Sequence, residues 1–360
     1  MAVDARFETI EEIAASINKK MGEDTMILGS AARKDVPRLS TGILSFDLAF
    51  GGGWPVNQWS ELIAPPTFGK TALAYKTIAH NQDLDPDFTC LFVSAETYVR
   101  KYAEAIGVDT DRLWVVESNE LEPCFDLVLR AIAARAVDMV VLDSLSAFAS
   151  IKELDMDMDE VAMGNAKLIS NFFKKSRKAQ RRSLVRDERN CTMLCLNSWR
   201  DAIGVKYGDP RVTPGGKAKD VEFFLRAEVT RDEWLTDGSN IEDRVGQVIK
   251  IRTIKNKLSP QQRIAQVDYY FDETKGGFHM GEFDAIKDIV NVSVTLGVIK
   301  RAGASYSFGD YKWRGKDCAK VIIPADVRSD LDLQRELIAA CHYAYTNRDV
   351  VPELADEDDE

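Results

Sequence analysis

The sequence predicts an α/β fold with a mostly parallel central sheet. Four short apolar runs alternate with stretches of helical periodicity, as expected of parallel strands that are buried on both faces. After Ala227 the pattern changes to longer, alternating strands, which indicates an antiparallel meander at one edge of the sheet. From Gly281 onward, helical patterns and an aromatic hairpin, SYSFGDYKWRG, predict a small α+β C-terminal domain.

The predicted elements follow from these patterns. The buried strands are expected at 59–63, 89–93, 137–142 and 191–196, and the helices at 71–80, 98–106, 121–135 and 161–182. The alternating strands are expected at 227–234, 245–255 and 262–271. An amphipathic helix precedes the sheet, because apolar residues recur there at helical spacing: Phe7, Ile10, Ile13, Ile17 and Met21. Its apolar stripe packs either on the protein's own core or on a neighbouring subunit.

Composition places the chain among ordinary globular proteins. Of its 360 residues, 45% are hydrophobic and 29% are charged. The start lacks the features of a secretory signal, and no apolar run approaches the roughly 18 residues that span a bilayer. The six cysteines form no CxxC pair, which argues against a zinc site or a disulfide framework. These observations predict a reducing, cytoplasmic location.

The net charge of −11 argues against a nucleic acid partner only if the charge is spread evenly. The stretch 167–189 is rich in Lys and Arg and holds only two acids, Asp187 and Glu188. It is either a solvated face or part of a surface that faces DNA. The residues 353–360, ELADEDDE, form an acidic tail that we expect to be disordered.

The stretch Trp59 to Lys76 has the order of a phosphate-binding loop: a strand, a loop, the sequence Gly-Lys-Thr and a helix. Backbone N–H groups and the helix N-terminus would bind phosphate oxygens, with the lysine on the β and γ phosphates. Because alanine replaces the first glycine of the motif, the loop must begin with a negative φ. The alternative is an ordinary helix N-terminus. The candidate nucleotide-binding residues are Ala64, Pro65, Pro66, Thr67, Phe68, Gly69, Lys70 and Thr71.

Two carboxylates complete the candidate site. Asp143, followed by Ser144, ends the apolar run that begins at Met139, and this position is typical of the acid that holds Mg²⁺ beside the loop threonine, Thr71. Glu96 follows the strand at 89–93 and could orient water as a general base. The alternative for Glu96 is an acid favoured by a helix dipole.

Taken together with these motifs, the sequence resembles the RecA recombinases. The resemblance depends on stretches that keep the order and nearly the spacing of that family: LSTGILSFDLAFGGGWP (39–55), the phosphate loop, FVSAE (92–96), VVLDS (140–144), IGVKYGDPRVTPGGKA (203–218), IKNKLSP (254–260) and AGASYSFGD (302–310). They cover about residues 25–320, and the acidic tail is also similar. The pattern suggests a divergent member, such as one encoded by a phage.

The resemblance implies roles for further residues. Lys255 and Lys257 match lysines that contact the ATP of a neighbouring subunit, and Tyr102 matches a tyrosine that stacks on adenine. The alternative for Tyr102 is core packing, with Tyr98 four residues away. The segments 151–165 and 198–216 match two DNA-binding loops, and the second supports this by itself because it combines cations, aromatic residues and glycines. The candidate DNA-binding residues are Met163, Gly164, Trp199, Arg200, Lys206, Tyr207, Arg211, Gly215 and Gly216.

Three positions depart from the family pattern. After the fourth strand the family has Asn-Gln, and this chain has Asn197-Ser198. The glutamine relays the state of the γ-phosphate to the second loop, and serine is too short for that reach. Either Asn197 or Arg200 substitutes, or the coupling is altered. An acid near the adenine is replaced by Val99-Arg100, which relaxes base selectivity, and the connection 180–190 is longer than in the family.

The resemblance implies a RecA-like P-loop NTPase core and a DNA-dependent ATPase that uses ATP and Mg²⁺. We expect it to form helical filaments on single-stranded DNA and to pair that strand with homologous duplex, in the cytoplasm of a bacterial or phage-infected cell. The rival functions are an ATP-binding filament scaffold or mediator, and a hexameric helicase or translocase. The expected segments are 1–35 (oligomerisation helix and linker), 36–272 (ATPase core), 273–345 (C-terminal domain) and 346–360 (acidic tail).

Overall fold

The fold was analysed in a computed structural model of the chain, which describes residues 8–22, 25–32, 35–156, 165–180, 190–201, 210–238, 243–315 and 317–347. The helices within these ranges are α1 (Ile10–Met21), α2 (Leu44–Phe50), α3 (Lys70–Leu84), α4 (Arg100–Ala105), α5 (Leu121–Ala134), α6 (Ile151–Leu154), α7 (Ala166–Ala179), α8 (Lys217–Glu222), α9 (Ala285–Thr295), α10 (Ile323–Ser329) and α11 (Leu331–Thr346). A π-helical turn, Cys318–Ile322, precedes α10.

The strands are also numbered in chain order. They are β1 (Arg38–Leu39), β2 (Trp54–Pro55), β3 (Trp59–Ile63), β4 (Cys90–Ser94), β5 (Leu113–Glu117), β6 (Met139–Asp143), β7 (Thr192–Asn197), β8 (Arg200–Asp201), β9 (Arg211–Val212), β10 (Leu225–Thr236), β11 (Arg244–Asn256), β12 (Ile264–Tyr270), β13 (Lys300–Ala302), β14 (Ser305–Phe308) and β15 (Tyr311–Arg314).

A central sheet organises the described part of the chain, with the strand order β12-β11-β10-β3-β7-β6-β4-β5. The strands from β10 to β5 in this order are parallel to their neighbours. The strands β11 and β12 extend the sheet in antiparallel pairing. The prediction of a mostly parallel sheet with an antiparallel edge is therefore confirmed. The carboxyl ends of β3, β7, β6 and β4 meet at one edge, which positions the candidate site.

The inner strands β3, β4, β6 and β7 are buried along their whole length and mostly apolar, because both faces of the sheet are covered. In β6, Met139 and Val141 belong to a core cluster that includes residues of α3, whereas Val140 and Leu142 belong to a second cluster with α5 and α7. The strands β4 and β7 alternate between these clusters in the same way. The side-chain period of two thus divides one apolar run between two cores.

A third apolar cluster forms around α9, α10 and α11 near the C-terminus. Leu44 and Leu48 of α2 also belong to it, so α2 joins this cluster to the sheet. The backbone N–H of Ser45 donates a 3.0 Å hydrogen bond to Asp288 Oδ2 in α9. This contact fastens the N-terminal turn of α2 to the C-terminal part of the chain.

The amphipathic N-terminal helix forms as α1. A capping box begins it: the backbone N–H of Glu12 donates to Thr9 Oγ1 at 3.2 Å, and Thr9 N–H donates to Glu12 Oε2 at 2.9 Å. None of its residues is buried, and Ile10 is 59% and Met21 53% exposed. The stripe therefore does not pack into the described core of its own chain.

The sequence analysis missed six of the strands in the described residues: β1, β2, β5, β8, β9 and β13. The strand β5 lies at the edge of the central sheet, where Trp114 is 68% exposed. Its half-exposed pattern differs from the continuous burial expected of parallel strands. The predicted aromatic hairpin is a sheet of β13, β14 and β15, since β13 pairs with β14 as well. Among the described residues, none of the helices has both the length and the apolar composition needed to cross a bilayer.

Candidate nucleotide-binding site and adjoining loops

The candidate phosphate loop joins the end of β3 to the start of α3. Ala64 has a negative φ, as the alanine requires, and its N–H donates a 3.2 Å hydrogen bond to the carbonyl of Asn197. The left-handed conformation is adopted instead by Thr67, with φ 66°, and by Gly69, with φ 91°. This conformation favours glycine at position 69, and a Cβ there would also displace the end of the Ile249 side chain, whose Cδ1 would lie 2.5 Å away.

Lys70 begins α3 and is buried beneath the loop. Its Nζ donates hydrogen bonds to the carbonyls of Ala64 at 2.8 Å and Pro65 at 2.9 Å. Burial lowers the pKa of this ammonium, and the charges of Asp143 and Glu96 partly offset that effect. The positive charge is thus held directly inside the loop.

Asp143 ends β6 beside Thr71, the second residue of α3. The Thr71 hydroxyl donates a 2.8 Å hydrogen bond to Asp143 Oδ2. Burial raises the pKa of Asp143 to about 6, the Thr71 bond opposes that rise, and the nearby charge of Glu96 adds to it. A hydroxyl and a carboxylate side by side form the hard oxygen donor pair that suits Mg²⁺.

Glu96 lies two residues beyond the end of β4. Because Ser94 and Asp143 are paired in register across β4 and β6, Glu96 lies at the same edge as Asp143. Its side chain is exposed, and its Oε1 accepts a 3.3 Å hydrogen bond from the Ser144 hydroxyl. Ser144 thus contacts Glu96 rather than the phosphate loop.

A cleft of about 580 Å³ opens above these groups. It brings together nine of the predicted residues: Pro66, Thr67, Gly69, Lys70, Thr71, Glu96, Tyr102, Asp143 and Ser198. The predicted residues Ala64, Pro65, Phe68, Ser144 and Asn197 surround it without lining it. Among the described residues, no cluster of three His, Cys, Asp or Glu side chains could hold a metal ion by itself.

The contacts of Tyr102 support core packing, and its stacking on adenine stays a prediction. Tyr102 lines the cleft and also packs against the core, with its ring edge-on to Tyr75 at a centroid distance of 5.8 Å. Its hydroxyl lies 2.9 Å from that of Tyr269 in β12. Tyr98 packs separately, on Phe92. The Tyr102 ring is therefore held in a fixed position at the cleft wall.

The sequence analysis missed Arg231 and Gln247, which line the cleft from β10 and β11. Arg231 Nη2 and Gln247 Nε2 both approach the carbonyl of Thr67, at 3.3 and 3.5 Å. The Arg231 guanidinium also lies over the Phe68 ring at 4.5 Å and over Trp234 at 3.7 Å. Burial and the neighbouring charge of Arg244 lower its pKa. The contacts of Arg231 and Gln247 with the Thr67 carbonyl restrain the left-handed turn of the phosphate loop.

Lys255 and Lys257 do not line this cleft. Lys255 Nζ donates to the carbonyls of Asp220 at 2.6 Å and Val221 at 3.2 Å, and its pKa is lowered mainly by burial. The ammonium of Lys257 lies 5.6 Å from the centroid of the Phe224 ring. Within one chain they belong to a different surface, and their contact with a neighbour's nucleotide stays a prediction.

The second predicted loop begins and ends at a small two-stranded pairing, in which Arg200 is opposite Val212. Glu228 of β10 accepts hydrogen bonds from Trp199 Nε1 at 3.1 Å and from Arg211 Nη1 at 2.6 Å. The Arg211 guanidinium also lies 4.9 Å from the Trp199 ring centroid. Both ends of the loop are therefore fixed to the sheet, with a cation and an aromatic ring next to each other.

Gly215 and Gly216 follow this pairing with left-handed φ values of 95° and 76°. The candidates Lys206 and Tyr207, and Met163 and Gly164 of the first loop, lie outside the described residues. So do the basic residues 181, 182, 186 and 189 and the acidic tail.

A family model for the RecA N-terminal domain matches residues 8–276. This chain belongs to the RecA family. It is 29% identical over 349 residues to protein RecA of Porphyromonas gingivalis, with 96% of each chain covered. It is 31% identical over 340 residues to protein RecA of Deinococcus radiodurans, with 93% of this chain and 89% of that one covered. It is 33% identical over 306 residues to protein RecA of Arthrospira platensis, with 84% and 79% covered.

The resemblance to the RecA family is thereby confirmed, and the departures from it can be located. Ser198 lines the cleft in place of the expected glutamine, and Val99 lines it where an acid was expected. Arg200, one possible substitute for the glutamine, is exposed and does not line the cleft. Asn197 is fully buried directly behind the phosphate loop.

Proposed function

We propose that this RecA-family chain is a DNA-dependent ATPase that forms filaments on single-stranded DNA and pairs that strand with homologous duplex. One observation supports this most directly. The end of β7 borders the nucleotide cleft at Ser198 and continues at once into the loop that begins with Trp199 and Arg200. Nucleotide occupancy and DNA contact would thus act on adjacent residues of one segment.

ATP hydrolysis would use the groups at the edge of the sheet. Lys70 binds the phosphates from within the loop, and Thr71 and Asp143 would hold Mg²⁺, which neutralises phosphate charge when bound. Glu96 is the candidate general base for the attacking water. The Ser144 hydroxyl orients Glu96 through its hydrogen bond. Tyr102 and the aromatic residues beside it would bind the base.

DNA binding would involve the second loop. Trp199 offers a ring on which a base can stack, and Arg211 offers charge for the phosphate backbone. The predicted DNA contacts of Lys206, Tyr207, Met163, Gly164 and the basic stretch 167–189 are part of this proposal. Such groups grip a strand without reading its sequence.

Filament formation would require contacts between neighbouring subunits. The exposed apolar residues of α1 suit a neighbouring subunit, and Lys255 and Lys257 would reach that neighbour's nucleotide. The proposed segments remain 1–35, 36–272, 273–345 and 346–360, in a bacterial or phage-infected cytoplasm. A filament scaffold with weak hydrolysis is the second candidate, favoured by Ser198.

A pairing assay tests the proposal. Purified protein is incubated with single-stranded DNA, homologous duplex, Mg²⁺ and ATP, and joint molecules are counted on gels. We expect joint molecules with homologous duplex only, and only with ATP. Filaments in electron micrographs without joint molecules would favour the scaffold, and joint molecules without nucleotide would contradict the proposed role of ATP.

A further inference from the structure

Two fully buried charged side chains lie between the nucleotide cleft and the second loop. Glu61 of β3 and Lys219 of α8 are both 0% exposed, and Lys219 Nζ lies 3.4 Å from Glu61 Oε1. Burial of an ion pair is costly unless further hydrogen bonds complete it. Neither residue belongs to the cleft. The burial of Glu61 and Lys219 must therefore be explained by their other hydrogen-bond partners.

On the side of the cleft, Glu61 is joined to Asn197. The Asn197 Nδ2 donates a 2.8 Å hydrogen bond to Glu61 Oε1, while the Asn197 carbonyl accepts the N–H of Ala64 at 3.2 Å. Asn197 Oδ1 also accepts the N–H of Ser198, at 2.9 Å. One buried asparagine thus contacts the phosphate loop, the cleft-lining serine and the buried carboxylate.

On the side of the second loop, Lys219 is joined to Thr213. The Lys219 Nζ donates a 2.6 Å hydrogen bond to Thr213 Oγ1 and another of 2.6 Å to Asp220 Oδ1. A Cβ on Gly215 would lie 2.7 Å from Lys219 Cδ, so the lysine chain packs directly against the end of this loop. Thr213 itself is buried.

Arg226 of β10 closes the network. Its Nε donates to Glu61 Oε2 at 2.6 Å, and its Nη2 donates to Thr213 Oγ1 at 3.2 Å. The Asn197 Nδ2 also lies 3.4 Å from the carbonyl of Pro214. Each buried charge therefore has several partners, and a shift of any member disturbs the others.

We propose that Lys219 is a positioning residue, which with Glu61 and Asn197 transmits the state of the nucleotide cleft to the second loop. This inference rests on the proposed function and assigns to this network the relay expected of the missing glutamine. Nucleotide contact with the phosphate loop would shift Ala64 and Asn197. Through Glu61 and Lys219, that shift would move Thr213 and the end of the loop that binds DNA. Asn197, rather than Arg200, then substitutes for the glutamine.

Three variants of the full chain test the relay. Lys219→Met keeps most of the length of the side chain and removes its charge. Thr213→Val removes only the hydroxyl that accepts from Lys219 and Arg226, and Thr213→Ser restores it as the matched control. For each, the Kd for a fluorescent single-stranded oligonucleotide is measured without nucleotide and with a non-hydrolysable ATP analogue. ATP hydrolysis without DNA and the thermal unfolding midpoint are recorded alongside.

In the wild type, the Kd for DNA without nucleotide should exceed the Kd with the ATP analogue. We expect the ratio of the first Kd to the second to fall about tenfold in Lys219→Met and Thr213→Val, a typical size for coupling between sites. Thr213→Ser should keep the wild-type ratio, and all three should keep hydrolysis without DNA. An unchanged ratio in a folded Thr213→Val would overturn the inference, even if Lys219→Met fails to fold. If the wild-type protein binds DNA with the same Kd with and without the ATP analogue, the proposed function is overturned together with the relay.

Discussion

The Thr71 hydroxyl donates a 2.8 Å hydrogen bond to Asp143 Oδ2, joining the first turn of α3 to the end of β6. The two residues belong to different motifs, and only the parallel arrangement of β3 and β6 around β7 brings them together. The pair offers two hard oxygen ligands beside the buried ammonium of Lys70. This arrangement is the chemical basis for assigning Mg²⁺ and phosphate to the cleft.

Replacement of Glu96 by Gln should slow ATP hydrolysis without loss of nucleotide binding. Glutamine keeps the size of the side chain and can still accept from Ser144, but it cannot take a proton from water. General base catalysis typically contributes about 10²–10⁴-fold, so we expect a loss of about that size in kcat. Glu104→Gln, on the exposed surface of α4, is the control. Equal rates in the two variants would exclude Glu96 as the base.

Arg231→Ala should weaken ATP binding by about tenfold, because a charged hydrogen bond to the Thr67 carbonyl is lost. Arg244→Ala is a close control, since Arg244 also lies over the Trp234 ring, at 4.5 Å. Within the described residues, Arg244 makes no hydrogen bond to Thr67, unlike Arg231. Titration with a fluorescent ATP analogue measures both variants. Equal losses of affinity would show that the arginine acts through the tryptophan and not through the loop.

Arg211→Ala should lower the affinity for single-stranded DNA and reduce the slope of log K against log salt by about 0.7, the value for one phosphate contact on a single strand. The affinity is measured by fluorescence anisotropy at several salt concentrations. Arg335→Ala, on the exposed side of α11, should leave both quantities unchanged. If Arg211→Ala retains the wild-type salt slope, Arg211 has a structural role towards Glu228 rather than a contact with DNA.

The buried Asp288 should make stability depend on pH. Burial raises its pKa to about 7 from an ordinary value of 3.8, and the charge of Asp47 adds to the rise. Because the folded state holds the proton more tightly, its stabilisation is fully present below about pH 4 and is lost as pH rises through 7. Asp288→Asn stays neutral and can still accept from Ser45. Between pH 5 and 8, the wild type should therefore lose about 3 kcal/mol more unfolding free energy than the variant.

Urea unfolding of both proteins at pH 5, 6.5 and 8 provides the comparison, because the contributions of other titrating groups cancel in the difference. Parallel loss of stability in the two proteins would show that Asp288 does not hold its proton in the folded state.

Sequence patterns predicted the inner strands of the sheet because burial on both faces leaves short runs of mostly apolar residues. They missed β5, since the edge position exposes Trp114 and breaks such a run. They also predicted that Lys70, Thr71 and Asp143 belong to one site, and the structure places all three at the same cleft. Arg231 and Gln247 were missed because they reach the cleft from distant antiparallel strands, where no local motif marks them. An arginine three residues before Trp234 within a strand was the available signal.

The relay through Glu61 and Lys219 could not be predicted from the sequence for a similar reason. A glutamate inside an apolar strand signals a buried charge, but its partner lies in α8, far along the chain. Only the packing of α8 against the sheet shows that the two charges meet. The Asn197 bond to Ala64 likewise depends on the pairing of β3 with β7.

The measurement that tests the central claim most directly is steady-state ATP hydrolysis with and without single-stranded DNA. Lys70→Ala is the control, because it removes the ammonium from the phosphate loop. The account predicts a rate that DNA stimulates strongly in the wild type and that is lost in Lys70→Ala. A rate that is absent, or that is the same with and without DNA, would contradict the proposed DNA-dependent ATPase and favour the scaffold.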